Sequence, residues 1–134
     1  MFSCSELSSK YFKVSDENIN KTRLEFAKQI SHKLLSAQSN ESYHKLSDKE
    51  ATSKMVTGLT KKKQQTSYEL ISGQYGNYQD LEFNQLLKPK DGTLYEVYRF
   101  KGKFSSKVDV EIRTTLDGNG KLAGIYMMKW KDNM

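Results

Sequence analysis

Leu94-Tyr-Glu-Val-Tyr-Arg-Phe-Lys-Gly-Lys-Phe104 and Val108-Asp-Val-Glu-Ile-Arg-Thr-Thr-Leu116 decide the fold. In the second stretch apolar and polar residues alternate almost without a break, the period of a strand with one buried face. Asp91-Gly92 precedes the first stretch and Asp117-Gly118-Asn119-Gly120 follows the second. Both supply the positive-φ residues that tight hairpins need. An earlier strand is expected around Tyr78, Leu81, Phe83, Leu86 and Leu87, which do not share one face unless the strand bulges or bends near Asn84. A last strand enters at Gly120-Lys-Leu-Ala-Gly-Ile125 and runs towards Lys131. The expectation is four antiparallel strands.

Upstream the period is helical. Ile19, Phe26, Ala27, Ile30, Leu34 and Ala37 recur along one stripe, after the cap-competent Ser15-Asp16-Glu17. Ser47-Asp48-Lys49-Glu50 has the form of a capping box, with Ala51, Met55, Leu59, Thr66 and Leu70 following on one side. Gly58 weakens continuity within that second helix, and Gly73 is the expected stop. Between Gly73 and Tyr78 the period changes from about 3.6 to 2. Helices followed by a meander give an α+β domain, with an N-terminal helical layer on the concave side of a curved four-stranded antiparallel sheet. Residues 1–14 are expected as a flexible segment or tether, and 15–134 as a single domain.

At 134 residues the chain buries roughly 65–70% of its unfolded surface in one core. Eight Tyr, six Phe and one Trp favour surfaces where one end of a ring stays wet. Twenty-two basic residues stand against 16 acidic, a formal charge of +6, but the signs are mixed along the chain. Nucleic acid is therefore the least favoured partner. Lys61-Lys62-Lys63 is the one basic run and suits a solvated helix face. A single cysteine, Cys4, excludes an internal disulfide and a cysteine-based metal site. Phe2-Ser3-Cys4-Ser5 also has the form of a bacterial lipoprotein cleavage site. That makes Cys4 a lipidation candidate if the true start lies upstream and a free thiol in an ordinary terminus otherwise, and leaves two compartments open, the cytoplasm and the cell envelope. No apolar run approaches the roughly 20 residues needed for a transmembrane helix.

Helical segments, then Gly73-Gln-Tyr75-Gly-Asn-Tyr78-Gln-Asp-Leu81 at the junction, then amphipathic strands closing at Gly120–Ile125, resemble the nuclear-transport-factor-like, or cystatin-like, cone fold. The resemblance spans about residues 15–131 and is similar to that of several bacterial domains of unknown function. It implies a curved sheet wrapped around helices. Its members include isomerases, dehydratases and cyclases with a carboxylate or histidine pair in the cone, and others that serve only for association. No Asp/His pair can be carried over to this sequence. The Gln-x-Val-x-Gly loop of the cysteine-protease inhibitors is also missing. Fold alone assigns no activity.

Glu96 is the candidate catalytic residue. Strict alternation puts it on the apolar face with Leu94, Tyr98, Phe100 and Phe104, where a carboxylate held in a dry pocket can act as a general acid or base. The alternatives are a bulge that turns it outward or a pairing with Arg99 or Arg113. Tyr126, Met128 and Trp130 share the parity of Leu122 and, with Tyr98 and Phe100, form the candidate ligand-binding set. Core packing is the competing role for that set. Tyr95, Val97, Ile125 and Met127, of opposite parity, form the candidate dimer interface. His32 and His44 stand alone, without a matched carboxylate pattern. No cofactor or metal is expected. The sequence thus points to a non-catalytic binding or interaction module, dimeric, taking a small apolar ligand or a protein partner. A small isomerase- or cyclase-like enzyme using Glu96 is the alternative.

Overall fold

The computed structural model describes residues 10–39 and 43–130. Cys4 and most of the expected tether lie outside them. Five strands, β1 (Tyr11–Lys13), β2 (Tyr78–Pro89), β3 (Glu96–Phe104), β4 (Asp109–Leu116) and β5 (Leu122–Lys129), form one sheet in that order. Every neighbouring pair is antiparallel. The α+β class is as expected; the strand count is not. The additional strand, β1, precedes the helices, pairs Tyr11 with Pro89 and Lys13 with Leu87, and lies within the segment expected as a tether.

Three helices connect β1 to β2: α1 (Lys21–Ser39), α2 (Ser53–Gly58) and α3 (Lys61–Tyr75). Ser15 opens only a single 3-10 turn, and the cap of α1 passes to Asn20, whose Oδ1 accepts the Arg23 N–H at 3.1 Å. Glu50 Oε1 accepts from both the N–H and the hydroxyl of Ser47, so the capping-box residues do close on one another. They close a turn, however, and the helix expected there is split. Thr52 caps α2 and Thr60 caps α3, each through its hydroxyl oxygen. The last helix runs past Gly73 and stops at Gly76, whose φ of 85° suits glycine. Gly92 and Gly120 also take positive φ, in the two hairpin turns read from the sequence.

All three helices lie on one face of the sheet. Ala27 and Leu35 of α1 pack with Leu81, Leu86, Tyr98, Phe100, Ile112 and Leu116. Ile30, Leu34, Leu46, Ala51 and Leu122 form a second cluster, with Met55, Val56 and Leu59 against it. The register of β2 shifts between Phe83 and Gln85, so the irregularity at Asn84 brings Phe83 and Leu86 to the same side. A second irregularity lies in β5. Leu116 pairs with Leu122 but Thr115 pairs with Gly124, which leaves Ala123 as an extra residue. Past that point every side chain of β5 has changed face.

Candidate functional site

Glu96 begins β3 on the helix-facing side, as alternation required, and is buried. Its partner is neither Arg99 nor Arg113. Arg23, in the first turn of α1, donates from Nη1 to Glu96 Oε1 at 2.8 Å. The same guanidinium donates to the Gly118 carbonyl at 2.9 Å and to the Asp117 carbonyl at 3.4 Å. Tyr98 donates its hydroxyl to Glu96 Oε1 at 3.3 Å, and Lys88 Nζ stands 4.0 Å from Oε2. Burial, and then the neighbouring Glu96 charge, push the Tyr98 phenol well above its ordinary range. Tyr98 is therefore a committed donor at neutral pH. Two cations and one phenol thus hold the carboxylate at the edge of an open cleft of about 270 Å³ lined by Thr93, Leu94, Tyr95 and Gly118.

Behind Glu96 the space between helices and sheet is filled. Tyr98 and Phe100 have no exposed surface and belong to the main core cluster, so they are packing residues and not the lining of an open pocket. Phe83 meets both of their rings. At the far end Phe104 meets both Tyr78 and Tyr75 edge to face. His32 Nδ1 lies 2.6 Å from the Tyr78 hydroxyl, which makes His32 a clamp between α1 and β2. The cavity left there measures about 10 Å³, with no room for a ligand. His44 is likewise structural: its Nε2 lies 3.0 Å from Glu50 Oε2, and the buried Gln64 side chain holds its backbone N–H and carbonyl.

The remaining candidate residues are redistributed by the bulge at Ala123. Ile125 and Met127, expected at a dimer interface, pack into the helix-side core. Tyr126, Met128 and Trp130 move to the outer face, opposite Arg113, Glu111 and Asp109. They are thus separated from Tyr98 and Phe100 by the thickness of the sheet. Val97 stays on the outer face with Leu87 and Thr115, while Tyr95 sits in the loop before β3, about half exposed.

A charged cluster that the sequence did not announce occupies the middle of this outer face. Arg99 and Glu111 are both buried and share a bidentate pair at 2.6 and 3.1 Å. Gln85 Oε1 accepts from Arg99 at 2.7 Å, and Arg113 donates to Glu111 from the other side. Burial alone would raise the Glu111 carboxyl; the hydrogen bonds and charges of Arg99 and Arg113 overbalance it and hold it below the usual carboxylate range. The Trp130 ring lies across the Arg99 guanidinium at 4.6 Å and across Lys101 Nζ at 4.7 Å. Beside it Tyr126 is 65% exposed.

One of the missed residues had a signal. Arg23 falls four residues after Ile19 and four before Ala27, a cation on the apolar stripe of α1, and such a residue needs a buried counter-charge. Alternation put Glu111 on the polar side of its strand and Arg99 on the side of Tyr95 and Val97, and nothing local shows that the two pair or that Trp130 folds back over them. Among the described residues no group of three or more His, Cys, Asp or Glu is arranged to hold a metal, and no helix is long and apolar enough to cross a membrane. Comparison of the chain with family models, with curated proteins and with solved structures returned no match.

Proposed function

We propose that the chain is a non-catalytic protein-interaction module of the cone type, and that its working surface is the outer face of the sheet around Tyr126, Met128 and Trp130. The supporting observation is the contrast between the two faces. The helix side is packed by Tyr98, Phe100 and Phe104, and its one mouth carboxylate is engaged by Arg23. On the outer side an exposed tyrosine and a tryptophan surround a rigid Arg99–Glu111 pair. Aromatic anchors on a preorganised base are the usual core of a protein contact. The charges of that face, Glu82, Lys101, Lys103, Asp109 and Arg113, are of both signs. Mixed charge complements a protein surface better than a uniform polyanion.

The test is capture from cells that produce the protein, with wild type compared against Tyr126→Glu and Leu70→Glu. Leu70 is as exposed as Tyr126 but lies on α3. The expected result is a partner retained by wild type and Leu70→Glu and lost by Tyr126→Glu. Retention by Tyr126→Glu, or a turnover abolished by Glu96→Gln, contradicts the proposal.

A second reading, small-ligand binding, draws on a different place. An open groove of about 570 Å³ runs past Tyr11, Pro89, Tyr95, Val97 and Thr115, with Lys10 and Lys90 at its rim. That volume falls within the range of ordinary ligand sites. Its mostly apolar floor and basic rim suit an apolar molecule with one anionic end.

A further inference from the structure

We infer that β5 is an edge built for pairing with a second copy of this chain, antiparallel, with Met127 on the two-fold axis. The sheet has two edges, and they are unlike. β1 is three residues long, too short to template another strand. β5 is eight residues long, and none of the devices that blunt an edge lies between Ile125 and Lys129, apart from the lysine that ends it.

The hydrogen-bond pattern shows which groups are open. Trp130 donates its N–H to the Asp109 carbonyl, so Trp130, Met128, Tyr126 and Gly124 turn their backbone groups towards β4. Leu122, before the bulge, turns outward instead: its N–H donates to the Glu50 carbonyl at 2.8 Å and its carbonyl accepts from Thr52 at 3.0 Å. Glu50–Thr52 therefore cap the edge only at its beginning. Beyond it Ile125, Met127 and Lys129 present three N–H and three C=O groups to the side away from β4. Among the described residues no strand pairs with them.

These groups are complementary to themselves. With Met127 facing Met127 across the axis, Ile125 meets the partner's Lys129 and every outward N–H and C=O is satisfied. Shifting the axis by one residue to Tyr126 or Met128 leaves one of the three residues without a partner. The chosen register also orders the outer face. Tyr126 falls opposite the partner's Met128, a sulfur–aromatic contact, and Gly124 opposite the partner's Trp130, whose ring stays turned inward over Arg99 and Lys101 of its own chain. Five strands from each copy join into one ten-stranded sheet, and the two outer faces become continuous. The edge stands independently of the partner proposed for that face.

Light scattering across a concentration series, combined with amide hydrogen exchange, tests it on the wild-type chain and on Lys129→Pro. Proline is tolerated where the N–H points away from the sheet, and it removes two symmetry-related hydrogen bonds from the pair. A dimer is expected in which the amides of Ile125, Met127 and Lys129 exchange slowly when concentrated and quickly when diluted. Lys129→Pro is expected to weaken association by about tenfold or more. A monomer at all concentrations overturns the inference. So does a dimer in which these three amides exchange freely. If Lys129→Pro fails to fold by circular dichroism, the wild-type exchange pattern alone decides.

Discussion

Glu111 is the residue on which the outer face depends. Its folded carboxyl is held below its usual value, so its contribution to stability is full above the unfolded range and is lost as pH falls below about 4.5. Chemical denaturation from pH 7 to pH 3.5 should show a falling acid limb in wild type and a flatter one in Glu111→Gln. Removing one partner of a buried pair is costly; removing both is not. Arg99→Met should therefore lower stability by about 3 kcal/mol or more, while Arg99→Met with Glu111→Met should recover most of that loss. At the mouth, Tyr98→Phe removes one hydroxyl donor to Glu96, at about 1 kcal/mol by the same denaturation assay. A catalytic Glu96 would instead show a turnover that Glu96→Gln abolishes, and a structural one shows none.

At the scale of elements, single positions decide where strands and helices point. Gly76 takes φ +85°, and a Cβ placed there would stand 2.1 Å from the Ser105 hydroxyl oxygen, whereas a Cβ at Gly73 meets nothing within 4 Å. Gly73→Ala should therefore stabilise the protein by about 0.5–1 kcal/mol, and Gly76→Ala should destabilise it by more than that. Thermal melts of the two variants should move in opposite directions. Deleting Ala123 takes the extra residue out of β5 and joins the Leu116–Leu122 and Thr115–Gly124 pairs into an unbroken ladder, so Ile125 and Met127 keep the core face. One residue inserted after Gly124 would instead turn both towards solvent, a loss of about 3 kcal/mol or more. The two hairpin turns, the bend at Asn84 and the amphipathic stripe of α1 were legible in the sequence because each rests on nearest neighbours and on period. Ala123 was not legible. A small residue between Leu122 and Gly124 carries no mark of being an extra one, and the whole of β5 was accordingly read one face over. Glu96 was placed on the correct face by alternation, but its partner Arg23 lies 73 residues away, beyond any local pattern. β1 was missed because three residues are too few for a period to show.

For the whole molecule, these local features add up to a sheet with two different faces. One is closed by three helices and the protein's own aromatics, while the other displays Tyr126 and Trp130 over a fixed ionic base. Recognition is the role proposed for that outer face, and self-association the role proposed for the β5 edge. Hydroxyl-radical footprinting tests that organisation most directly, because Met, Trp and Tyr side chains report their own exposure. It should be run on the protein isolated at low concentration and on the assemblies recovered from cells that produce it. Protection of Tyr126, Met128 and Trp130 in the assemblies, with Leu70 and Tyr43 on the helix side unchanged, is the expected result. Protection confined to Leu94, Tyr95 and the cleft at Glu96, with the outer face left open, would contradict it and return the working site to that cleft.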